Sequence, residues 1–291
     1  MTRLTFLGTG TSQGVPIIGC QCEVCRSVDR RDKRFRASVL VEYGGLTILV
    51  DAGPDFRMQM LSQNVRHLDA VLLTHNHKDH TGGLDDVRSL NYIDKKAIEI
   101  YCEERVERSL RTEYSYAFAE TKYPGAPEWN VHRIGDGPFE VHRVEGYELE
   151  WVHDVGYSYV PVPGYVPDPS APSVTVVPIR GYHDTMPVLG FRFGKIAYIT
   201  DMNSLPESEF PKLQGLEHVT LNTVGYKKHH SHFSLDEAVA LADRIGARHT
   251  WLTHLSHSFP PYIRFDAVLA DLSSGLRTTI HPAYDGLTIE D

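Results

Sequence analysis

The sequence predicts a single layered α/β domain, and three observations support this fold class. Short apolar, β-rich runs alternate with helical patterns in two successive groups along the chain. Side chains of the types that bind metals stand at or just past the ends of several of these runs. The chain has 291 residues, of which 41% are hydrophobic, and it shows no internal repeat, linker or low-complexity segment. We therefore expect one domain over residues 1–291 with a site along one edge of its sheets.

The first group of elements begins with a predicted edge strand at Leu4–Leu7, which runs into a glycine-rich loop. A hairpin follows, in which alternating apolar and polar residues flank the turn Gly44-Gly45. The remaining predictions for this half are strands at Ala37–Tyr43, Leu46–Val50 and Ala70–Leu73, and helices at Phe56–Gln63, Leu84–Asp94 and Glu103–Thr112.

Residues 114–172 interrupt this regularity, because they are rich in Tyr, Pro and Gly and carry only short strand-like patterns. Two interpretations stay open: a hairpin-bearing flap or insertion over the site, and an extension of a sheet edge. Further on, a capping box from Ser234 to Glu237 starts a helix that ends near Ile245. Strands are predicted at Val174–Ile179, Val188–Phe193, Ile196–Thr200, Val219–Leu221 and Thr250–Thr253.

Composition and charge argue against several classes of partner. Lys and Arg total 29 against 38 for Asp and Glu, so the formal charge of −9 offers no general attraction to nucleic acid or to an anionic membrane. An anionic substrate would need a local cationic site. The apolar stretch near the first residues is too short for a signal peptide or a membrane span, and Cys20, Cys22, Cys25 and Cys102 make a poor disulfide framework. We expect a cytoplasmic protein.

The stretch VLLTHNHKDHTGGL carries the chemistry, because four metal-type side chains follow a buried strand at once. They are His75, His77, Asp79 and His80. Two imidazoles at alternate positions point the same way if the backbone is extended, while the carboxylate and the third imidazole face a neighbouring point. One short segment could therefore serve two cations.

HNHKDH, followed along the chain by His183, Asp201 and His254, resembles the metallo-β-lactamase superfamily, whose fold is a four-layer αββα sandwich. Within that superfamily, GTGTSQGVPIIGCQCEVC near the start and THLSH near the end are similar to the phosphodiesterase branch. The resemblance is strongest to the bacterial phosphoribosyl 1,2-cyclic phosphate phosphodiesterases of phosphonate breakdown.

The resemblance implies a dinuclear site that holds two divalent ions, zinc or manganese. It assigns His75, His77 and His183 to the first ion, Asp79, His80 and His254 to the second, and Asp201 to both; Asp79 also counts as catalytic. Two ions roughly 3.5 to 4 Å apart can activate a water and brace the reacting oxygens. Because the ions supply about +4 and two carboxylates and a hydroxide about −3, the pocket would carry about +1 and favour an anion.

Two further residues are candidates for roles beside the metals. The resemblance marks His232 as the general acid, and its position two residues before the predicted cap Ser234 would let an imidazolium protonate a departing alkoxide beside a helix N-terminus. A surface loop is the alternative for His232. Asp51 follows a strand and precedes a glycine turn, so it is either turn chemistry or the partner that holds a ligand imidazole in its tautomer.

Cys20, Cys22 and Cys25 form C-x-C-x2-C, which can wrap three thiolates about one tetrahedral zinc but leaves the fourth ligand open. The similar phosphodiesterases use a histidine three residues beyond the metal-site histidine, which here is His257. A structural zinc on these four residues would fix the first loop against the last. Three reduced core cysteines are the alternative.

These expectations combine into a metal-dependent phosphoric diester hydrolase that attacks a small phosphodiester, cyclic or linear, with hydroxide held between two metals. Three rivals stay open. An RNA 3′-processing nuclease would normally show a basic arm, and the sequence offers only Lys227-Lys228 beside the site, so we expect no nucleic-acid partner. A thioester or lactone hydrolase would need no general acid at His232. A non-catalytic metal-binding accessory protein would share the ligands without turnover. The identity of the substrate and the formation of a homodimer stay open.

Overall fold

The computed structural model describes residues 1–122, 125–145, 147–152, 156–161 and 170–291. The strands of the first half are β1 (Thr2–Gly8), β2 (Ser38–Tyr43), β3 (Leu46–Val50), β4 (Ala70–Leu72), β5 (Ile98–Cys102), β6 (Trp129–Arg133), β7 (Phe139–His142), β8 (Tyr147–Val152) and β9 (Gly156–Pro161). Those of the second half are β10 (Ser173–His183), β11 (Met186–Phe193), β12 (Ile196–Tyr198), β13 (His218–Asn222), β14 (His249–Thr253), β15 (Thr279–Pro282) and β16 (Thr288–Glu290).

The helices follow the strands in both halves of the chain. The α-helices are α1 (Glu23–Arg26), α2 (Phe56–Ser62), α3 (Lys78–Thr81), α4 (Arg88–Asp94), α5 (Glu104–Glu113), α6 (Leu235–Ile245) and α7 (Tyr262–Leu272). Short 3-10 helices lie at Arg30–Asp32, Leu84–Val87, Ser115–Phe118 and Glu207–Leu213. The Ser234–Glu237 capping box is present at the start of α6. Among the described residues, no helix combines the length and the hydrophobicity that crossing a bilayer requires.

Two seven-stranded sheets form the centre of the molecule. Their strand orders are β16-β1-β2-β3-β4-β5-β6 and β15-β14-β13-β12-β11-β10-β7. In each sheet an antiparallel half meets a parallel half: β3 to β6 run parallel in the first, and β12 to β15 in the second. Because parallel neighbours put their carboxyl ends at one edge, side chains that follow them gather there.

Three apolar layers hold this arrangement together. Leu4, Phe6, Phe191 and Tyr198 belong to the layer between the two sheets. A second layer packs α2, α4 and α5 on the outer face of the first sheet, and a third packs α6 and α7 on the outer face of the second. Helices therefore cover both outer faces, which confirms the predicted four-layer αββα sandwich.

Some sequence-based assignments differ from the structure. The prediction that Leu4–Leu7 is an edge strand is wrong, because β16 pairs outside β1 and matches Leu4 with Ile289. That partner lies at the other end of the chain, where local periodicity carries no information about pairing. The helix predicted at Leu84–Asp94 is divided into a 3-10 helix and α4.

Residues 114–172 contribute to both sheets. Strand β6 extends the first sheet beside β5, and β7 extends the second beside β10. Strands β8 and β9 form a separate two-stranded sheet. The remainder of the proposed flap, at 123–124, 146, 153–155 and 162–169, lies outside the described residues. The flap and the single-domain boundary stay predictions.

Candidate metal centre

The predicted ligands lie at the edge where the strands of both sheets end. His75 follows β4, His183 ends β10, Asp201 follows β12 and His254 follows β14. His80 lies in the short helix α3, directly beyond the first two histidines. The sandwich thus brings together side chains that are up to about 180 residues apart in the chain.

A threonine precedes the ligand at three of these strand ends. Thr74, Thr200 and Thr253 are fully buried, and each stands directly before His75, Asp201 or His254. Thr200 Oγ1 donates a hydrogen bond to Asp201 Oδ2 at 2.6 Å. Sequence analysis did not single out these threonines, although the recurring pattern of strand, threonine and ligand in LLTH, YITD and WLTH is visible in the sequence.

The imidazoles form a closely packed cluster. Ring centroids are 4.6 Å apart for His75 and His77, 5.1 Å for His77 and His183, and 5.8 Å for His75 and His183. Desolvation within the cluster lowers the pKa of all three imidazoles, including that of His77 at the solvent-exposed side, and so favours the neutral form that binds a metal. This histidine group corresponds to the first ion of the predicted set.

Asp201 stands between that group and the second set of candidate ligands. One ligand atom from each of Asp79, His80, Asp201 and His254 lies within 4.8 Å of the others. Asp201 Oδ1 is 3.0 Å from His254 Nε2, and Oδ2 is 3.3 Å from His80 Nε2. Burial alone would raise the pKa of Asp201, but His254 and His80 hold it well below its usual value. Asp201 is therefore an anionic carboxylate that contacts the second set, and a ligand atom of His183, from the first set, also lies within 4.8 Å of a carboxylate oxygen of Asp201.

Hydrogen bonds fix the tautomers of two histidines. Asp51, fully buried, accepts a hydrogen bond from His80 Nδ1 at 2.7 Å and two from the N–H and hydroxyl of Thr74 at 2.9 Å. Thr74 Oγ1 in turn lies 2.9 Å from His75 Nδ1. Because both Nδ1 atoms are engaged, the Nε2 atoms of His75 and His80 face the cluster, buried and without a hydrogen-bond partner. Such orphaned nitrogens fit a metal ion.

Several of these residues adopt an unusual backbone conformation. Asp51, Asp201 and His254 have φ values of 64°, 58° and 56°, in the left-handed region. Residues held there cost about 1–3 kcal/mol each and concentrate at functional sites, where the surrounding structure imposes them. Asn222 stabilises the turn after Asp201 by accepting from the N–H of Met202 and donating to its carbonyl, at 2.9 Å each.

His232 lies at the border of the cluster. Its ring centroid is 4.6 Å from those of both His183 and His254, and its Nδ1 is 4.0 Å from Asp201 Oδ1. This nitrogen is buried without a hydrogen-bond partner. One potential ligand atom from each of His183, Asp201 and His232 lies within 4.8 Å of the others, which is close enough for the three to hold a metal ion. Burial and the neighbouring His254 lower the pKa of His232 to about 2. The side chain of His232 is only 12% exposed and packs against the candidate ligands, so it is not a side chain on a mobile surface loop.

A second cluster of metal-type side chains includes His257, which follows His254 by three residues in the chain. Cys20, Cys22, Cys25 and His257 are brought within 4.8 Å of one another. The distances from His257 Nδ1 to the three sulfurs are 3.2, 3.5 and 3.6 Å. A tetrahedral zinc with ordinary Zn–S and Zn–N bonds separates sulfur from nitrogen by about 3.5 Å.

The environment of these thiols differs from one to the next. Cys22 caps α1, and the backbone N–H of Cys25 lowers its pKa to about 6, so it is a thiolate at neutral pH. Burial raises the pKa of Cys25 to about 11. The loop that carries His257 is joined to the first loop, because Leu255 N donates to Thr9 O at 2.8 Å.

A family model described as a beta-lactamase superfamily domain matches residues 47–255. The chain belongs to the metallo-β-lactamase superfamily. The match includes the seven predicted ligands of the dinuclear set and His232, but not Cys20, Cys22, Cys25 or His257. The fold implies divalent metal binding, and the Asp/His group is the candidate site. The family and the fold that the sequence predicted are thereby confirmed.

Two individual proteins are similar to this chain over almost its whole length. The chain is 36% identical over 288 residues to an octanoyltransferase of Porphyromonas gingivalis, covering 98% of this chain but 51% of that protein. It therefore spans about half the length of this curated relative. A crystal structure of a diphosphatase from the PhnP family is 33% identical, with a TM-score of 0.79 and coverage of 100% of this chain and 98% of that chain.

A structure of zinc-bound PqqB from Methylobacterium extorquens is similar to this chain in fold. It is 18% identical, with a TM-score of 0.69, and the superposition covers 99% of this chain and 100% of that chain. At this identity the similarity extends to the αββα sandwich alone.

Proposed function

We propose that this chain is a metal-dependent hydrolase of small phosphodiesters, with two divalent ions, zinc or manganese, at the edge of the sandwich. The observation that carries the proposal is the position of Asp201, whose carboxylate lies 3.3 Å from His80 and 3.0 Å from His254 and also groups with His183, while imidazole nitrogens of both sets are buried without a hydrogen-bond partner. His75, His77 and His183 would hold one ion, Asp79, His80 and His254 the other, and Asp201 both. When bound, such ions activate water and neutralise charge on phosphoryl oxygens.

The surrounding residues would keep the ligands ready to bind. Asp51 orients His80, and Thr74 links Asp51 with His75, so one buried carboxylate serves ligands of both ions. Thr200 holds one oxygen of Asp201. These hydrogen bonds would hold the ligand side chains in fixed orientations, so that little binding energy is spent on rearranging them.

His232 is the group that would deliver a proton to the leaving alkoxide. It lies between His183 and His254, within reach of a substrate that contacts both halves of the site. The role requires a proton on the imidazole, and the negative charge of a bound phosphodiester favours the charged form. Asp79, which the sequence analysis also counted as catalytic, would act as a metal ligand.

The cluster of three thiols and His257 would hold a structural zinc. Four ligand atoms are the number that a closed tetrahedral site needs, and such closed sites are typical of structural rather than catalytic zinc. Such an ion would tie the first loop to the loop after His254. The thiolate of Cys22 supplies a metal-binding form without further proton release.

A second candidate reaction is the hydrolysis of a diphosphate. The observation that favours it is the similarity over the whole chain to a protein described as a diphosphatase. A diphosphate and a phosphodiester present the same kind of phosphoryl oxygens to two cations. They differ in the leaving group, because a departing phosphate needs a proton far less than a departing alkoxide.

The test is a substrate panel for the full chain loaded with manganese or zinc. It contains linear and cyclic phosphodiesters, a diphosphate ester, a thioester, a lactone and a structured RNA. We expect the highest kcat/KM on a small phosphodiester, with loss of activity in chelator and recovery on adding metal back. A phosphate monoester serves as the control for nonspecific phosphatase activity.

Each other outcome of the panel indicates a different function. A higher kcat/KM on the diphosphate would establish the second candidate, and a higher one on the thioester or lactone would reject phosphoryl transfer. Preference for the RNA would indicate a processing nuclease. Tight binding of two ions without turnover of any compound would favour a metal-binding accessory protein.

A further inference from the structure

Helix α5 contacts the ligand segment through the residues that stand between the ligands. Asn76 lies between His75 and His77, and its Nδ2 donates to Ser109 Oγ of α5 at 3.3 Å. Lys78, which follows His77, is ion-paired with Glu113 at the end of the same helix. The non-ligand side chains of HNHKDH are therefore anchored to α5 while the ligands face the cluster.

Arg105, in the first turn of α5, extends this contact to the second sheet. Its Nη1 donates to Asn76 Oδ1 at 2.6 Å, and its Nη2 donates to the carbonyl of Pro187 at 2.7 Å. Pro187 lies in β11, where it pairs with Tyr182, the residue before His183. One guanidinium thus bridges the segment that carries His77 and the hairpin that carries His183.

We propose that Arg105 is a positioning residue for the metal position formed by His75, His77 and His183. This inference rests on the dinuclear site of the proposed function. His77 lies in the segment that follows β4 of the first sheet, and His183 ends β10 of the second, so the spacing of their nitrogens depends on how the two sheets are held at this edge. Arg105 sets that spacing with two hydrogen bonds from one rigid, planar group.

The environment of Arg105 supports a specific role. The side chain is partly buried, its Nε is buried without a hydrogen-bond partner, and within the described part of the chain it donates no hydrogen bond to a carboxylate. Glu103, whose charge acts on Arg105, is hydrogen-bonded to Arg180 instead. Burying a guanidinium against neutral acceptors is costly, and a lysine could bind only one of the two acceptors well.

The sandwich does not depend on Arg105 for its assembly at this edge. A backbone hydrogen bond from Leu189 N to Thr74 O, at 3.1 Å, also joins the two sheets there. Because this bond and the apolar core remain in a variant, we expect loss of Arg105 to loosen the ligand positions locally while the chain stays folded.

The experiment is a calorimetric titration of the metal-depleted full chain with Mn²⁺, which prefers imidazole and carboxylate over the thiol cluster. The variants are Arg105→Met, which keeps the aliphatic length, and Arg105→Lys. The matched control is Arg108→Met on the same helix, because Arg108 is exposed and its ion pair among the described residues is with Glu104, one turn back along the helix. Thermal melting of each metal-depleted variant checks that the fold is unchanged.

We expect two Mn²⁺ sites in the wild type, and in Arg105→Met one site weakened by about tenfold or more while the other changes less than about twofold. Arg105→Lys should be intermediate and Arg108→Met unchanged. Adding Arg105→Met to His183→Ala should cause no further loss, because both changes act on one metal position. Equal weakening of both sites, or additive losses in that double variant, would overturn the inference.

Failure of the proposed function gives a different result. If the wild type itself binds no pair of Mn²⁺ ions, the dinuclear site is wrong. If the wild type binds two and Arg105→Met binds them equally well, the dinuclear site stands and the role of Arg105 is rejected.

Discussion

The two clusters of metal-binding side chains are assembled in different ways. The thiol cluster takes three ligands from the six residues Cys20–Cys25 and needs one loop-to-loop contact to add His257. The Asp/His cluster takes its ligands from the ends of strands in both sheets, and further side chains such as Asp51 and Thr74 orient them. The thiol cluster is therefore assembled mostly from neighbouring residues, whereas the Asp/His cluster exists only when the whole sandwich has formed.

The clusters also differ in how completely they are closed. The thiol group offers four ligand atoms and thus a full tetrahedral set. In the Asp/His cluster His77 is exposed, and the unpartnered nitrogen of His232 faces the same region. A closed site stabilises, and an open one leaves room for a substrate. Variants in the two clusters should therefore separate activity from loop stability.

The largest effect is expected from Asp201→Asn. The amide keeps the shape of the side chain but removes the charge that faces both sets of imidazoles, so both metal positions should weaken together. We expect phosphodiesterase activity to fall by more than the roughly 100-fold that loss of an outer contact to a ligand can cost. Metal titration and kcat/KM measure the two effects, and zinc in the thiol cluster should be unchanged. Wild-type affinity at either Asp/His position would refute the shared role.

The next largest effect is expected from His232→Ala. Loss of the general acid should reduce kcat on an alkyl phosphodiester by about 100-fold or more. On a p-nitrophenyl phosphodiester, whose leaving group departs without a proton, the loss should be much smaller, with both metals retained. The matched control is His230→Ala, since His230 is exposed in the same loop. Equal losses on both esters would assign His232 a role in metal or substrate binding.

A smaller effect is expected from Asp51→Asn. The amide can still accept from Thr74, but it cannot replace the charged contact to His80 Nδ1, so the imidazole loses its fixed tautomer. Metal affinity should fall by about 10- to 100-fold, and excess metal should restore most of the kcat. Calorimetry and metal-dependent kinetics provide the measurement. If excess metal failed to restore the rate, Asp51 would act on the reaction by another route.

The sequence was sufficient for the parts of this molecule that depend on short-range pattern. HNHKDH gave the centre of the site, and the capping box at Ser234 gave the start of α6. The fold followed from the resemblance carried by these motifs, and the family match and the sheet topology confirm it.

Features that depend on contacts between distant segments were not predictable. Strand β16 covers the edge of β1 from the other end of the chain, and Arg105 reaches Pro187 across the two sheets. Neither contact leaves a local periodicity in the sequence. The buried threonines are a different case, because their recurrence before three ligands was readable and shows that a strand end can be recognised by the residue that precedes its ligand.

The smallest effect on activity is expected from Cys22→Ser, which tests the other side of the comparison. Serine is a good N-cap, so the hydrogen bond from Cys25 N that starts α1 is kept while the thiolate is lost. We expect about one zinc fewer per chain by elemental analysis and a lower melting temperature. The phosphodiesterase rate should stay within about tenfold of the wild type, because outer contacts that shape a metal site contribute about that much.

Cys102→Ala is the matched control for this variant. Cys102 is buried in the outer layer of the first sheet and does not belong to the thiol cluster, so its loss should leave the zinc content unchanged. If Cys22→Ser kept its full zinc content, the tetrahedral site would be refuted. If instead the zinc were lost together with both active-site ions, the thiol cluster would be needed to hold His254 in place. The two clusters would then form one cooperative unit through the contact between Leu255 and Thr9.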